Sequence, residues 1–579
     1  MINVLSTNIT SPLGFSTEEN YQAVRTGASA LRCYGPKAGE SQGLWGLPEP
    51  FAASLFSEEQ KSRLAIDGHT FFEAIAIRSV REALSHISLD VASPRVVLIL
   101  STTKGNIGQA VRYYPSEAAA MIAKAIGVTT TPIVVCNACV SGLSAMLLAN
   151  HLLSASLYDY AIVVGAEVQS RFIVSGFQSL KAVSAEPCRP FDMERNGLNP
   201  GEAAATIVFA AKSPSDKDMT GAVGWQLVDG AVCNDAYHIV SPSPQGDGLT
   251  NAIEAVMKGR DKQQLASVCV HGTATLYNDQ MESKAIQRTN LSDVPLSALK
   301  GYYGHTMGAA GVLETILSMR ATDDGIVLPS KGFTELGVSG KVSISSEPRP
   351  TDKTAFLKIM SGFGGCNVAA LFEKGAWSKG QEASGKVTLE KVQTVRLTSA
   401  DGTSPTDIYK QQIGDYPKLT SSSNRFYKMD ILARLAFVAT ELLLKASPQE
   451  SEADKGHGSE VAVILFNHSS SVVADRQYLA TIGDDEASSV PLSRERFFPS
   501  PSVFVYTLPN ITAGEVAIRH HLCGETSFYI LPERDETLMQ QILEATLAQT
   551  NATSAISGWV DAESETCYEC ELSMYNTTS

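Results

Sequence analysis

The chain has 579 residues, 44% of them hydrophobic and 18% charged, with 61 Asp and Glu against 46 Lys and Arg, for a formal net charge of -15. That length allows two or three compact units and a large buried core, and the acidic balance argues against nucleic acid as the main ligand, because phosphate binding relies on clustered Lys and Arg. The ten cysteines are thinly spread, the opening "MINVLSTNITSPLGF" lacks the features of a secretory signal, and no apolar run approaches the about 18 residues of a membrane span; a cytoplasmic protein with free thiols and no membrane span is expected.

Along the chain, segments of helical spacing alternate with short apolar, β-branched runs. "GHTFFEAIAIRSVREALSHI" (68–87) precedes "RVVLILST" (95–102) and "TPIVVC" (131–136), and "GLSAMLLANHLLSAS" (142–156) precedes "YAIVVGAE" (160–167), "AATIVFAA" (204–211) and "ASVCVHG" (266–272). This alternation predicts an α/β architecture whose sheets are covered by helices on their faces. Residues 376–395 open with small and polar residues, within "GAWSKGQEASGKV", and read as a linker. Beyond them the pattern restarts. "RLAIDGHTFFEAIAIRSVREAL" (63–84) is echoed by "RFYKMDILARLAFVATELLLK" (425–445), "RVVLILSTTKGN" (95–106) by "EVAVILFNHSSS" (460–471), and residues 144–168 by 540–564. The tail, 396–579, therefore reads as an incomplete second copy of the first part of the chain.

Chemistry is suggested at four places. In "NACVSGLSAM" (137–146), Cys139 falls between a buried strand and a helix, where the helix dipole favours a thiolate, while Cys136 ends the strand. Ser141 and Gly142 are small enough to let a substrate approach the turn. In "VCVHGTATLYNDQMESKAI" (268–286), a strand delivers His271 into a loop of small hydroxyl residues, with Glu282 on the next helix. "LSALKGYYGHTMGAAGVLETILS" (296–318) brings Lys300 and His305, and "IMSGFGGCNVAALF" (359–372) is a Gly-rich turn whose bulky member is Phe363. A cysteine in apolar surroundings is usually a core residue; two histidines, each between a strand and a helix, are what argue for a site.

These four blocks, in this order, resemble the active-site blocks of β-ketoacyl-acyl-carrier-protein synthases, condensing enzymes of the thiolase fold. "ITSPLGFSTEENYQAVRTGASAL" (9–31) and "SLKAVSAEPCRPFDMERNGLNPGEAAATIVF" (179–209) are similar to the family's opening and central block, and the likeness covers about residues 1–375. It implies a layered α-β-α-β-α fold with an N-terminal half (1–210) carrying the nucleophile and a C-terminal half (211–375) carrying His, Lys and His. It further implies a decarboxylative Claisen condensation in a fatty acid, polyketide or polyene pathway, with acyl and malonyl thioesters of an acyl carrier protein as substrates. Cys139 would be the nucleophile. Its amide and that of Phe363 or Gly364 would donate to the oxyanion, His271 and His305 would stabilise the enolate, and Lys300 with Glu282 would form the supporting ion pair. Thr273 and Thr275 would bind the pantetheine arm, and Phe363 would gate the acyl pocket. No metal or tightly bound cofactor is implied, only the carrier's phosphopantetheine.

The sequence departs from the family's usual residues at Val140, Ser141, Ser361, Ala203, Ala274 and Cys366. A thiolase would use a second cysteine near Cys366, but lacks the His-Lys-His set. The tail resembles the synthase-like and chain-length-factor-like proteins that accompany condensing enzymes. Its echo sets Asp535 opposite Cys139, with no cysteine between Cys523 and Cys567, and His520 and His521 read as polar-face or interface residues. The main domain is expected either to form a homodimer or to pair with the tail as a pseudo-dimer. The competing reading is a non-catalytic chain-length-factor-like scaffold that shapes a partner's pocket.

Overall fold

The computed structural model describes residues 1–107, 113–211, 224–375, 387–413, 423–445, 461–483 and 497–578. Fifteen strands form one hydrogen-bonded sheet. In chain order they are β1 (Ile2–Thr10), β2 (Val96–Ser101), β3 (Ile133–Val135), β4 (Tyr160–Glu167), β5 (Ala203–Ala210), β6 (Trp225–Asn234), β7 (Leu265–Cys269), β8 (Leu296–Ser297), β9 (Ala355–Gly362), β10 (Cys366–Lys374), β11 (Thr388–Thr398), β12 (Val461–Asn467), β13 (Thr526–Ile530), β14 (Ser554–Ser564) and β15 (Cys567–Thr578).

The spatial order, β8-β7-β9-β10-β6-β1-β5-β4-β2-β3-β13-β12-β14-β15-β11, resolves into three groups of five built alike. In each, the second strand runs parallel to the third and fourth, while the fifth is antiparallel to both the fourth and the first. The tail thus repeats the first group strand for strand. The likeness of the second group, β6 to β10, is visible only in three dimensions. The linker expected over 376–395 needs correction: 376–386 lie outside the described residues, and from Thr388 the chain is already in β11. The polar alternation of "TLEKVQTVRLT" suits an edge strand with one wet side.

Among the described residues, the strands of groups one and two are joined by two residue pairs, Ile2 with Leu227 and Asn3 with Gln226. Helices Ser141–Ser154 and Ala310–Asp323 pack on each other and touch strands of both groups. Nearly all their residues are buried, which explains their lack of a polar face and gives the central helical layer of the thiolase-like arrangement. Outer helices such as Phe71–Ser85 cover the sheet. Thr70 and Glu73 start that helix with reciprocal caps.

The tail docks through its own third strand. Tyr529 and Ile530 of β13 pair antiparallel with Val135 and Val134 of β3, Phe528 O accepts from Cys136 N at 3.1 Å, and Asn137 Oδ1 accepts from Phe528 N at 2.8 Å. Helix Glu536–Leu547 packs against Ser141–Ser154. A buried ion pair, Lys104 Nζ to Asp475 Oδ1 at 2.6 Å, also crosses the seam. Of the two expected pairings, the chain makes the intramolecular one. With its outer edge occupied, β3 cannot pair with a second copy in the same way. No described helix is long and apolar enough to cross a membrane.

Candidate active site

Cys139 sits on a 3-10 turn, Ala138–Val140, between β3 and helix Ser141–Ser154. The turn is sharp: Ala138 has φ 48, a left-handed conformation uncommon outside glycine. Ser141 staples it, accepting from Asn137 N at 2.8 Å and donating to Ala138 O at 2.6 Å. The small residues here serve packing rather than substrate approach. A Cβ on Gly142 would lie 2.8 Å from Gly308 O, and one on Gly311 would lie 2.5 Å from Leu143 N. The backbones of helix Ser141–Ser154 and of the segment after His305 are therefore nearly in contact. Val140 and Ser141 are fully buried and do not line the cleft.

His271 follows β7 and His305 follows the short helix Lys300–Tyr303. Their rings lie edge to face with centroids 4.9 Å apart. One ligand atom from each of Cys139, His271 and His305 falls within a mutual 4.8 Å, a sulfur and nitrogen set that a soft divalent cation could also occupy. Met307 N donates to His305 Nδ1 at 3.1 Å, leaving the proton of the neutral ring on Nε2. Neither His305 Nε2 nor His271 Nδ1 has a hydrogen-bond partner among the described residues.

Cys139, His271, His305, Thr273, Thr275 and Phe363 all border one cleft of about 260 Å³. The two threonine hydroxyls are 2.9 Å apart. Gly364 is not in its lining, and its amide donates to Ile239 O at 2.7 Å. Of the two expected loop donors, the amide of Gly364 is therefore already engaged, and the other belongs to Phe363, which borders the cleft. Cys366, the residue that a thiolase reading would use, turns its sulfur to Thr526 O of the tail at 3.7 Å and does not border the cleft.

The expected Lys300–Glu282 pair is corrected. Lys300 Nζ bonds Glu314 Oε1 at 2.7 Å and His271 O at 2.6 Å, and Lys358 Nζ bonds Glu314 Oε2 at 2.6 Å. Glu282 instead accepts from His271 N and Gly272 N, each at 2.7 Å. Both carboxylates still serve His271: one holds its N–H, the other places the lysine that holds its C=O. Glu314 and Lys358 are absent from the sequence-derived set. The signal was available, since each is a charged residue inside an otherwise apolar helix or strand.

Burial pushes the Cys139 thiol up to about 12, with the Lys300 ammonium pulling the other way. The resting group is thus a thiol, not the thiolate expected from the helix terminus alone, and any attack by its sulfur would need a proton acceptor nearby. Burial, reinforced by the Lys300 charge, lowers His271 and His305 well below 6.5, so both rings are neutral at pH 7. Protonation of either would remove a neutral imidazole only below that value. Accordingly, the rate at which a preformed acyl-enzyme is consumed is expected to stay flat from pH 8 down through 6.5, measured by rapid quench, with no midpoint at the free imidazole value.

Residues 88–214 match the beta-ketoacyl synthase N-terminal domain and residues 226–334 its C-terminal domain. The chain is 31% identical over 278 residues to 3-oxoacyl-[acyl-carrier-protein] synthase 2 of Mycobacterium leprae, a match spanning 45% of this chain and 65% of that protein. It is 28% identical over 313 residues to a putative mitochondrial 3-oxoacyl-[acyl-carrier-protein] synthase of Schizosaccharomyces pombe, spanning 50% and 70%. A beta-ketoacyl synthase structure from Burkholderia phymatum superposes on 65% of this chain and 99% of its own, with a TM-score of 0.57 at 22% identity. The PfaC keto synthase-chain length factor structure superposes on 100% of this chain and 78% of its own, with a TM-score of 0.74 at 13% identity, so the fold likeness includes the tail. Both synthase domains are thus matched in sequence, over residues 88–214 and 226–334, and their residues meet around one Cys-His-His cleft.

Proposed function

We propose that the protein is a condensing acyltransferase that joins a Cys139-bound acyl group to malonyl-carrier. The observation that carries this reading is the convergence of one thiol and two neutral imidazoles within 4.8 Å at the foot of a cleft. In the first half-reaction Cys139 sulfur attacks the carbonyl carbon of an acyl thioester and the carrier's carbon-sulfur bond breaks. The thiol proton passes through a neutral imidazole to the departing pantetheine sulfur. Negative charge on the tetrahedral oxygen faces the amides of Cys139 and Phe363. In the second, malonyl-carrier loses carbon dioxide; the electron pair becomes an enolate whose oxygen accepts from the imidazoles, including the Nε2 proton of His305. The enolate carbon attacks the acyl carbonyl, the bond between that carbon and Cys139 sulfur breaks, and the leaving thiolate takes up, through an imidazole, one proton from water, the proton that the overall condensation consumes. Thr273 and Thr275 offer hydroxyls to the phosphopantetheine arm. The ten free thiols fit a reducing, cytoplasmic setting.

The scaffold reading applies to the tail alone. At the position echoing Cys139 it has Asp535, which caps helix Glu536–Leu547 by accepting from Leu538 N at 3.0 Å. Its contribution is a wall. Cys139 belongs to one buried cluster with Phe172 and Phe177 of the main domain and with Tyr478 and Phe504 of the tail. Phe504 meets Phe177 at 5.3 Å and Tyr478 at 5.2 Å between ring centroids, and leaves no room for a Cβ on Gly176. These rings share one buried cluster with the Cys139 side chain, an arrangement that favours short acyl groups.

Intact-mass measurement after incubation with acyl-carriers of graded length tests both points. Wild type should gain short acyl masses, and Phe504→Ala should shift the preferred chain upward by several carbons. No acyl mass with any donor would sink the enzymatic reading, and an unchanged preference in Phe504→Ala would sink the wall.

A further inference from the structure

The loop that presents Phe363 N is held by the tail. Phe363 O accepts from Asn510 Nδ2 at 2.8 Å, while the N–H of the same peptide unit, on Gly364, is bound by Ile239 O at 2.7 Å. The next carbonyl, Gly364 O, accepts from Asn234 Nδ2 at 2.8 Å, and that same amide nitrogen reaches Thr526 Oγ1 of the tail at 3.0 Å. The third, Gly365 O, accepts from Asp235 N at 2.7 Å. Gly364 and Gly365 have φ of +88 and +74, so the loop adopts a left-handed path that most sequences resist. The tail also fits it closely. A Cβ on Gly364 would lie 2.8 Å from Asn510 Nδ2, and a Cβ on Gly514 would lie 2.7 Å from Gly364 O. Asn510 is 5% exposed, leaving little freedom to reorient.

We propose that Asn510 is a positioning residue for acyl transfer: by holding the carbonyl of Phe363 it fixes the peptide unit that follows this residue and so restrains the φ and ψ of Phe363, on which the direction of the preceding amide, the one that would face the oxyanion, depends. The inference rests on the proposed condensing activity and goes beyond it. The tail would then be needed for the chemistry at Cys139 itself, not only for the size of the acyl pocket. An oxyanion donor works only if it is already aimed when charge develops, and loss of one such donor typically slows a reaction about 100- to 1000-fold. Misaiming one should have a smaller effect.

The experiment compares wild type, Asn510→Ala and the nearly isosteric Asn510→Asp in the full chain. Two reactions of Cys139 are timed by intact mass: transfer of an acyl group from acyl-carrier, which passes through an oxyanion, and alkylation by iodoacetamide, a direct displacement that does not. In both variants acyl transfer at saturating donor should fall about 10- to 100-fold, with the donor concentration for half-maximal rate and the alkylation rate within twofold of wild type. Acyl transfer within twofold of wild type would overturn the inference. So would an equal fall in both reactions, which would mean that Asn510 merely holds the site together. If wild type itself takes no acyl group while iodoacetamide still labels Cys139, the condensing reading fails and this inference with it, an outcome distinct from the other two.

Discussion

Cys139→Ala is expected to abolish acyl loading and to lower condensation at least about 1000-fold, an activation difference of roughly 4 kcal/mol, while decarboxylation of malonyl-carrier continues within about tenfold of the wild-type rate. The two half-reactions use different groups. Loading needs a sulfur nucleophile, and the described residues bring no other thiol to the cleft lining. Decarboxylation needs donors to a developing enolate oxygen, which in the proposed mechanism His271 and His305 would supply without sulfur. Replacement of a buried thiol by a methyl group leaves the neutral state of both rings intact, because burial and the Lys300 charge set it. His305→Ala should invert the pattern: the acyl mass still appears on Cys139, and carbon dioxide release falls. Measuring acyl mass and carbon dioxide in parallel separates the two. If Cys139→Ala also loses decarboxylation, the thiol is doing more than serving as acyl acceptor and the division of labour is wrong.

The residues at the foot of the cleft are legible because a strand end followed by small residues is a local feature, and Cys139, His271 and Phe363 each sit on one. What stayed hidden depends on crossings. Glu314 and Lys358 are 44 residues apart, and each alone only signals a buried charge in search of a partner. Lys300 is nearer in sequence to Glu314 than to Glu282, and the expectation of a pair with Glu282 rested on the family resemblance alone. The tail's echo could be read as a pattern of apolar runs. Its docking edge could not: β3 is three residues long, and "TSFYI" reads like any interior strand. Asn510 was invisible for the same reason. It lies in a degenerate copy, opposite no catalytic residue, and gains meaning only once β13 has brought the tail against the Gly-rich loop. Cys139 itself shows the limit of local reasoning, since the helix terminus favours a thiolate and the depth of the site overrides it.

Glu314→Gln is expected to destabilise the protein by about 3 to 5 kcal/mol and to lower turnover of the fraction that remains folded. The carboxylate is 3% exposed and stands between two ammonium groups that are themselves 1% and 0% exposed. Burial pushes the Glu314 carboxyl up, and the Lys300 and Lys358 charges more than offset this, holding it below the usual range. Burial works against the Lys358 charge, and the neighbouring Cys269 and Glu314 hold it above its ordinary value. An amide in place of the carboxylate keeps the volume but leaves two buried cations facing each other with no counter-charge. Lys358→Met in the wild-type background is milder, because the Lys300–Glu314 pair survives and only a flexible apolar chain replaces the second cation. In the Glu314→Gln background Lys358→Met should recover part of the lost stability, since one of the two unpaired charges is gone. The sign of that interaction is the diagnostic. Turnover should recover less than stability: Lys300 would still lack the carboxylate that orients it onto His271 O. Urea titration of the two single variants and the double variant gives the cycle, and additive effects would show that Glu314 does not bind the two lysines as one unit.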